Sequence, residues 1–131
     1  MVVVDNIPNG YEVYANLSSN SLDYKDSSTH EFISVAHLQS IEHVIVKGNS
    51  SDRLHGNDMA NILDGGQGND LLIGDGGDDK LILTQGKAVG GHGEDSYLIR
   101  RFDWTESVDD LYLNESFTYL RLFFFTPFPT I

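Results

Sequence analysis

The middle of the chain, residues 47–98, carries isolated apolar residues at a regular spacing between long polar intervals. When this segment is cut every nine residues, the eighth position is apolar and the sixth is Asp or Asn. A strand with one inward apolar residue is too short to stand alone, so such strands must stack into a parallel coil with a shared core. The apolar positions are Leu54, Leu63, Leu72, Leu81 and Tyr97, and Val89 is expected to serve in the shortened segment LTQGKAV.

The two flanks have a different, conventional β-rich pattern. YEVYANL (11–17) and FISVAHLQSIEHVIV (32–46) are rich in β-branched and aromatic residues, with a polar stretch of turn chemistry between them. Residues 35–42 could form a helical turn instead. We therefore expect a β-rich N-terminal capping segment over 1–46, the coil over 47–98 and a β-rich C-terminal cap over 99–131.

Glycine is concentrated in the coil segment, which holds 12 of the 13 glycines. The residues between successive strands must turn sharply, and such turns use positive φ angles that only glycine adopts without penalty. Turns of this kind point backbone carbonyls into a concave notch. Two stacked turns would present carbonyl oxygens and two Asp side chains to one point, which suits Ca²⁺ because it accepts 6–8 oxygen ligands in flexible geometry.

The overall charge agrees with a cation as partner. The 131 residues include 20 acidic and 8 basic side chains, a formal net charge of −12. This balance disfavours nucleic acids and anionic membranes, which need clustered Lys and Arg. The chain has no cysteine, so neither a disulfide nor a thiolate metal site can stabilise it. The start MVVVDNIPNG has no basic n-region and only a short apolar run, which predicts neither a signal peptide nor a membrane span.

Three segments of the coil resemble one known repeat. GGQGNDLLI (65–73) matches the pattern GGxGxDxUx at every position, GGHGEDSYL (90–98) matches with Tyr97 as its apolar residue, and GDGGDDKLI (74–82) departs only at its second position. The segment resembles the RTX (repeats-in-toxin, haemolysin-type) calcium-binding family. The resemblance implies an all-β fold, a parallel β-roll (a right-handed β-helix of these repeats), in which two nonapeptides make one coil and each ion lies between turns n and n+2.

The resemblance implies three candidate sites, each made of two sixth-position side chains and four backbone carbonyls. The first combines Asp52 and Asp70 with Gly48, Ser50, Gly65 and Gln67. The second combines Asn61 and Asp79 with Asn57, Met59, Gly74 and Gly76. The third combines Asp79 and Asp95 with Asp75, Gly77, Gly90 and His92.

Departures from the repeat suggest that these sites are unequal, with two to three Ca²⁺ ions in all. The neutral oxygen of Asn61 should weaken the second site, and LTQGKAV brings no Asp to lie above Asp70. Gly74 and Gly90 are 16 residues apart rather than 18, so the third site is expected to depart from the geometry of a regular repeat. Asp58, Asp64 and Asp78 fall outside the sixth position and are expected to be solvated. Arg100 and Arg101 are expected on an exposed strand edge, and the five histidines at the surface or hydrogen-bonded.

The implied function is that of a non-catalytic calcium-binding module in a larger secreted bacterial exoprotein, such as a toxin, an adhesin or an exoenzyme. Such a module would leave the cell unfolded by type I secretion and fold on Ca²⁺ outside, with the flanking domains of its parent as neighbours. No catalytic motif appears, since HEFIS (30–34) lacks the second histidine of a zinc protease.

The alternative is a receptor- or carbohydrate-binding domain that uses the calcium roll as a scaffold. Its contact residues would be the flanking aromatics Tyr11, Tyr14, Trp104 and Phe123–Phe125. A contiguous exposed aromatic patch would favour this alternative, whereas buried aromatics closing the ends of the coil would favour the module.

Overall fold

A computed structural model of the chain describes residues 1–101, 111–114 and 118–124, and within them it contains strands and no helix. The strands are β1 (Val2–Val4), β2 (Tyr11–Asn16), β3 (Ser21–Asp26), β4 (Phe32–His37), β5 (His43–Val46), β6 (Arg53–His55), β7 (Ile62–Asp64), β8 (Asn69–Asp75), β9 (Lys80–Leu83), β10 (Gln85–Gly91), β11 (Asp95–Arg101), β12 (Leu111–Asn114) and β13 (Thr118–Phe124). The described residues therefore include no helix that could span a membrane.

The strands form two sheets between which the chain alternates. Sheet A has the order β1-β5-β7-β9-β11-β13, and sheet B has the order β12-β10-β8-β6-β2-β3-β4. All pairs in sheet A are parallel, and so are those of sheet B from β12 to β2. Successive passages from one sheet to the other build a parallel β-solenoid, and the predicted all-β roll is confirmed.

The core is a set of side-chain ladders between the two sheets. In sheet A, Val44, Leu63, Leu81 and Tyr97 lie in register on successive strands, and in sheet B the same is true of Ala15, Leu54, Leu72 and Ala88. All eight are at most 2% exposed. Because each strand supplies only one of these residues, a strand is stabilised by its neighbours in the stack rather than by itself.

The shortened segment places a different apolar residue inside from the one expected. Ala88, not Val89, lies opposite Leu72 and is fully buried. Only Thr84 separates β9 from β10, so this coil is 16 residues long and its inward position falls at residue 88, 16 residues after Leu72. The hydroxyl of Thr84 donates to the carbonyl of Gly66 at 3.0 Å, which joins the short turn to the turn below it.

The N-terminal flank also differs from expectation. The polar stretch contains strand β3, and residues 32–37 form strand β4 rather than a helical turn. β3 and β4 pair antiparallel to β2 and extend sheet B by two strands. Leu22 of β3 is buried in the core, and the partly buried Tyr24 packs against the same core. β3 was not predicted from the sequence because most of its side chains are polar and partly exposed.

In the C-terminal flank, β12 continues sheet B and β13 continues sheet A. The rest of the expected cap, including Trp104 and Phe125, lies outside the described residues.

Asp64 and Arg100 contradict the expectation that both are simply exposed. Asp64 is only 6% exposed, and its Oδ2 accepts a hydrogen bond at 2.9 Å from Nη1 of Arg100, two strands away in sheet A. Its Oδ1 accepts from the backbone N–H of Gly66 at 3.0 Å. The carboxylate is therefore held at the outer face of the sheet by a cation that the sequence placed 36 residues away.

We expect Arg100→Gln to lower the free energy of unfolding by about 1–3 kcal/mol, because it leaves the Asp64 carboxylate buried without its cation. Urea denaturation in excess calcium measures the change. Lys80→Gln, at an exposed position of the same sheet, is the matched control and should cost less than about 0.5 kcal/mol. Equal effects of the two substitutions would contradict a stabilising role for the ion pair.

Candidate metal centre

The predicted sites lie in the turns at the two edges of the solenoid. At the A-to-B edge, where the chain passes from sheet A to sheet B, the turn that ends at Asp52 lies under the turn that ends at Asp70. At the B-to-A edge, the turns that end at Asn61, Asp79 and Asp95 are stacked in that order. These five sixth-position side chains are 1–3% exposed, although four of them are carboxylates.

The sixth-position side chains are linked from one turn to the next by the same hydrogen bond. Oδ1 of Asp70 accepts from the backbone N–H of Asp52 at 2.9 Å. Oδ1 of Asp79 accepts from the N–H of Asn61 at 2.8 Å, and Oδ1 of Asp95 accepts from the N–H of Asp79 at 2.9 Å. Each predicted pair is therefore adjacent, and the 16-residue spacing of the third pair leaves this contact unchanged.

The ladder continues beyond the repeats at one end and stops at the other. The N–H of Val13, in β2, donates to Oδ1 of Asp52 at 2.8 Å, so the N-terminal flank supplies the layer below the first site. Above Asp70, the residue in register is Gly86, which has no side chain to offer. Among the described residues, the A-to-B edge therefore has one stacked pair of sixth-position Asp residues, Asp52 and Asp70.

Asp70 has the electrostatics of a cation ligand. It is 2% exposed, and its buried Oδ2 has no hydrogen-bond partner in the part of the chain that the structure describes. Burial raises the pKa of this carboxyl to about 8; the hydrogen bond from Asp52 opposes the shift, and the negative charges of Asp52 and Asp64 add to it. The ionised form of a buried carboxyl group is strongly disfavoured when one oxygen has no hydrogen-bond partner and a second carboxylate is adjacent. A nearby cation would stabilise that ionised form.

Asp52 is buried beside it with both carboxylate oxygens already engaged. Oδ1 accepts a hydrogen bond from the N–H of Val13, and Oδ2 accepts one from the hydroxyl of Ser50 at 3.0 Å. Burial raises its pKa above the usual range, while these hydrogen bonds oppose the shift. A metal in the first notch would therefore gain most from Asp70.

Three of the predicted carbonyl ligands, at the second position of their turns, also hold consecutive turns together. The carbonyl of Gly48 accepts from the N–H of Gln67 at 3.0 Å, that of Asn57 from Gly76 at 3.2 Å, and that of Asp75 from His92 at 2.8 Å. These bonds connect all six residues with their expected partners. A carbonyl oxygen has two lone pairs, so one such hydrogen bond leaves it able to face a cation as well.

The fourth-position carbonyls lie directly below glycines of the next turn. The carbonyl oxygen of Met59 would be 2.7 Å from a Cβ added at Gly77, and the carbonyl oxygens of Ser50 and Gly77 would be closer still to a Cβ added at Gly68 and Gly93. The structure thus brings Ser50, Met59 and Gly77 into the notches where the sequence placed them. Their role as metal ligands stays a prediction.

The first-position glycines are needed for space. Gly56, Gly65 and Gly74 do not have positive φ angles, but a Cβ at Gly65 would lie 2.5 Å from Oδ2 of Asp70. A Cβ at Gly74 would collide with Oδ2 of Asp79 and with the carbonyl oxygen of Gly90. The expectation that turn glycines serve only backbone conformation is therefore incomplete, because these keep the notch open beside the carboxylate.

Asn61 differs from the carboxylates at its position. Its Oδ1 accepts from the N–H of Asn57 at 2.9 Å, and its Nδ2 donates to the carbonyl of Glu42 at 3.3 Å. The amide has partners for both of its polar atoms and carries no charge to neutralise. The weaker binding expected of the second site stays a prediction.

Asp75 takes the position that glycine holds in the repeat, with a φ of 77°. Its Oδ2 lies 2.6 Å from Nε2 of His55 on the neighbouring strand β6, outside the notches. Sequence reasoning missed this pair because the two residues carry no shared motif. Only the register of β6 with β8 brings them together.

The described residues contain no cluster of three or more His, Cys, Asp or Glu side chains placed to hold a metal. A site here would therefore be made of two sixth-position side chains and a majority of backbone carbonyls. This oxygen-only composition suits Ca²⁺, which prefers carboxylate and carbonyl ligands, and does not suit zinc or copper.

We expect calcium affinity to rise with pH through the pKa of Asp70. The metal-free folded chain holds a proton on Asp70 up to about pH 8, whereas the unfolded chain releases it near pH 4. Without calcium, this group therefore stabilises the fold fully below about pH 4 and loses that contribution as the pH rises to about 8. Calcium displaces the proton, so calorimetric titration at pH 6 should give a weaker first site than titration at pH 8.

Asp70→Asn is the control for this pH dependence. The amide cannot titrate, so the variant should bind one ion fewer, and its remaining affinity should vary less between the two pH values. An unchanged pH dependence in the variant would assign it to another group.

Comparison with known families gives one match. The family model described as RTX calcium-binding nonapeptide repeat (4 copies) matches residues 48–86. That range includes the first two candidate sites and ends before Gly90. No curated protein and no solved structure matches the chain.

Proposed function

We propose that this chain, whose residues 48–86 are RTX calcium-binding nonapeptide repeats, is a non-catalytic module that folds when calcium binds its stacked turns. The observation that carries the proposal is Asp70, a fully buried carboxylate with one oxygen lacking any partner among the described residues. At neutral pH the unfolded chain carries this carboxyl ionised, so folding without calcium requires it to take up a proton, whereas bound calcium can neutralise it directly.

We further propose two to three ions. Asp52 and Asp70 would hold one at the A-to-B edge, with Gly48, Ser50, Gly65 and Gln67 contributing carbonyls. At the B-to-A edge, Asp79 would take part in two sites, one with Asn61 and one with Asp95. Calcium supplies positive charge at each notch, and the chain supplies the oxygen atoms and the close stacking of the turns.

The expected magnitude suits a switch between low and high calcium. With a dissociation constant near 0.1 mM, about 1 mM free calcium contributes about 1.4 kcal/mol per site, or about 4 kcal/mol for three sites. At about micromolar calcium the contribution is close to zero. Since a domain of this size is stable by only about 5–15 kcal/mol, three sites would supply a large share of its stability.

This difference supports a secreted location. Inside a cell the chain would remain unfolded and could pass through a type I secretion channel, and outside it would fold on the available calcium. The parent protein would be a bacterial exoprotein such as a toxin, an adhesin or an exoenzyme, and the flanking domains of that parent would be its neighbours.

Circular dichroism of the whole chain tests the proposal. In excess chelator we expect a largely unfolded spectrum or a markedly lower melting temperature, and 1–10 mM calcium should restore the β signal, in the range of weak extracellular sites. Magnesium is the matched control, because it demands octahedral geometry and gives up its water reluctantly. A full β signal and unchanged melting temperature in chelator would refute calcium-dependent folding.

A further inference from the structure

The outer face of sheet B carries an aromatic and cationic surface that the calcium sites do not use. Inward side chains such as Ala15 and Leu54 alternate with outward ones, so Tyr14 and Arg53 lie side by side on the outer face of β2 and β6. Lys25 and Phe32 share that face on β3 and β4. We call these four residues the Tyr14 surface.

The ring of Tyr14 is the centre of this surface. Nζ of Lys25 and Cζ of Arg53 each lie 5.4 Å from its centroid, within cation–π range. Phe32 meets the same ring edge-on, with 5.0 Å between centroids and an interplanar angle of 85°. These contacts fix the positions of two cations around one aromatic group.

Among the described residues, neither Lys25 nor Arg53 makes an ion pair. Two carboxylates share the face, since Glu12 is the cross-strand partner of Lys25 and Asp23 that of Tyr14. Nζ of Lys25 donates to the Tyr14 hydroxyl at 3.4 Å. Arg53 lies on the other side of Tyr14, on β6, where its guanidinium could pair with an anionic group.

The surroundings favour a ligand with hydroxyl groups as well as an anion. A cavity of about 330 Å³ lies between Phe32 and Arg53, and Asn16, Ser21 and Asp23 line it. Together these three offer hydrogen-bond donors and acceptors, and the acceptor Asp23 would repel a ligand that is only anionic. Phe32 is 57% exposed and presents an apolar ring to the same space.

We propose that the Tyr14 surface binds a carboxylated saccharide. Arg53, which lines the cavity, receives the carboxylate through the paired donors of its planar guanidinium, and Lys25 adds positive charge on the other side of Tyr14. The exposed ring of Phe32 packs against the C–H face of the sugar, and Asn16, Ser21 and Asp23 exchange hydrogen bonds with its hydroxyls. This binding goes beyond calcium-dependent folding and needs only the folded sheet.

NMR titration of the folded full chain in excess calcium tests the proposal. The probes are sialyllactose and a glucuronate-containing trisaccharide, with lactose as the neutral counterpart. We expect the two acidic sugars to shift the amide resonances of β2, β3 and β6 and to bind about tenfold or more tightly than lactose. Affinity should fall as salt is raised.

Two pairs of variants assign the contact. Arg53→Gln and Phe32→Ser should each weaken binding of the acidic sugars by about fivefold or more. Their controls are Lys80→Gln, a cation on sheet A, and Ile33→Ser, which changes an apolar residue that is 50% exposed on the opposite face of β4. Both controls should bind like the unmodified chain.

Four results would overturn the proposal. These are no binding of either acidic sugar, equal binding of lactose, equal loss in the control variants, and equal or tighter binding of hexaglutamate or of phosphatidylserine vesicles. The last result would assign the surface to an acidic peptide or a membrane. Failure of calcium to affect folding would leave this test intact, because the titration requires only that the chain be folded.

Discussion

Asp79→Asn should remove more calcium-dependent stability than Asp95→Asn. Asp79 lies between two partners at the B-to-A edge: its Oδ1 accepts from the N–H of Asn61, and its own N–H donates to Asp95. If it takes part in two sites, its loss costs up to about 2.8 kcal/mol at 1 mM calcium, against about 1.4 kcal/mol for the loss of one site. The measurement is urea denaturation of each variant in chelator and in calcium.

The amide replacement isolates the charge. Asn61 already occupies the equivalent position one coil earlier, buried and hydrogen-bonded, so the fold accommodates Asn there. In chelator, Asp79→Asn should therefore be at least as stable as the unmodified chain. Asp58→Asn, at an exposed position of the same edge, should leave the calcium-dependent increment unchanged. Equal increments for Asp79→Asn and Asp95→Asn would mean that Asp79 is not shared.

Gly74→Ala should destabilise the chain by about 1–3 kcal/mol even in chelator, and should weaken calcium binding at the B-to-A edge. The φ angle of Gly74 is not positive, so alanine meets no backbone penalty. Its Cβ would instead collide with Oδ2 of Asp79 and with the carbonyl oxygen of Gly90. Relief of the collision requires Asp79 to move away from its neighbours, and calorimetric titration would report the affinity that is lost.

Gly10→Ala separates this steric effect from backbone strain. Gly10 has a φ of 86°, and a Cβ there would have no neighbour within 4 Å. Its replacement should cost about 1–2 kcal/mol through strain alone and leave calcium affinity unchanged. If Gly74→Ala also preserved calcium affinity, the close approach of Gly74 to Asp79 would have no role in the site.

The aromatic flanks bear on the two functions that the sequence left open. Tyr24 packs against the core at the N-terminal end of the roll, as expected for a module with closed ends. Tyr14 and Phe32 lie on the outer face of the same sheet with two cations. The N-terminal flank therefore has features of both the capped module and the binding domain. The core side of sheet B closes the roll, and its outer face carries the Tyr14 surface.

Much of the roll followed from the nine-residue spacing. A repeat of one apolar residue and one carboxylate fixes which side chains must stack, because every coil meets the same geometry as its neighbour. The resemblance to RTX repeats implied two nonapeptides per coil, and this predicted the ladders of Leu54 with Leu72 and of Leu63 with Leu81. It also predicted the adjacency of Asp52 and Asp70.

The two flanks and the shortened segment LTQGKAV were less predictable because they do not follow the nine-residue repeat, so no equivalent residues in an adjacent coil constrain them. β3 is polar along most of its length, and only its pairing with β2 and β4 shows that it is a strand. The inward residue of the shortened segment was predicted at Val89, whereas the single-residue turn at Thr84 sets a register in which Ala88 lies opposite Leu72.

The sequence by itself therefore determined the repeat, the all-β roll, the oxygen-rich notches and the pairs of residues that face each notch. Only the tertiary structure decided that Asp64 is buried against Arg100, that His55 meets Asp75, that first-position glycines make room for carboxylates and that two cations surround Tyr14. The physical reason is that the repeat specifies contacts between equivalent positions of successive coils. Contacts between unlike positions depend on strand register and side-chain direction, which no local pattern encodes.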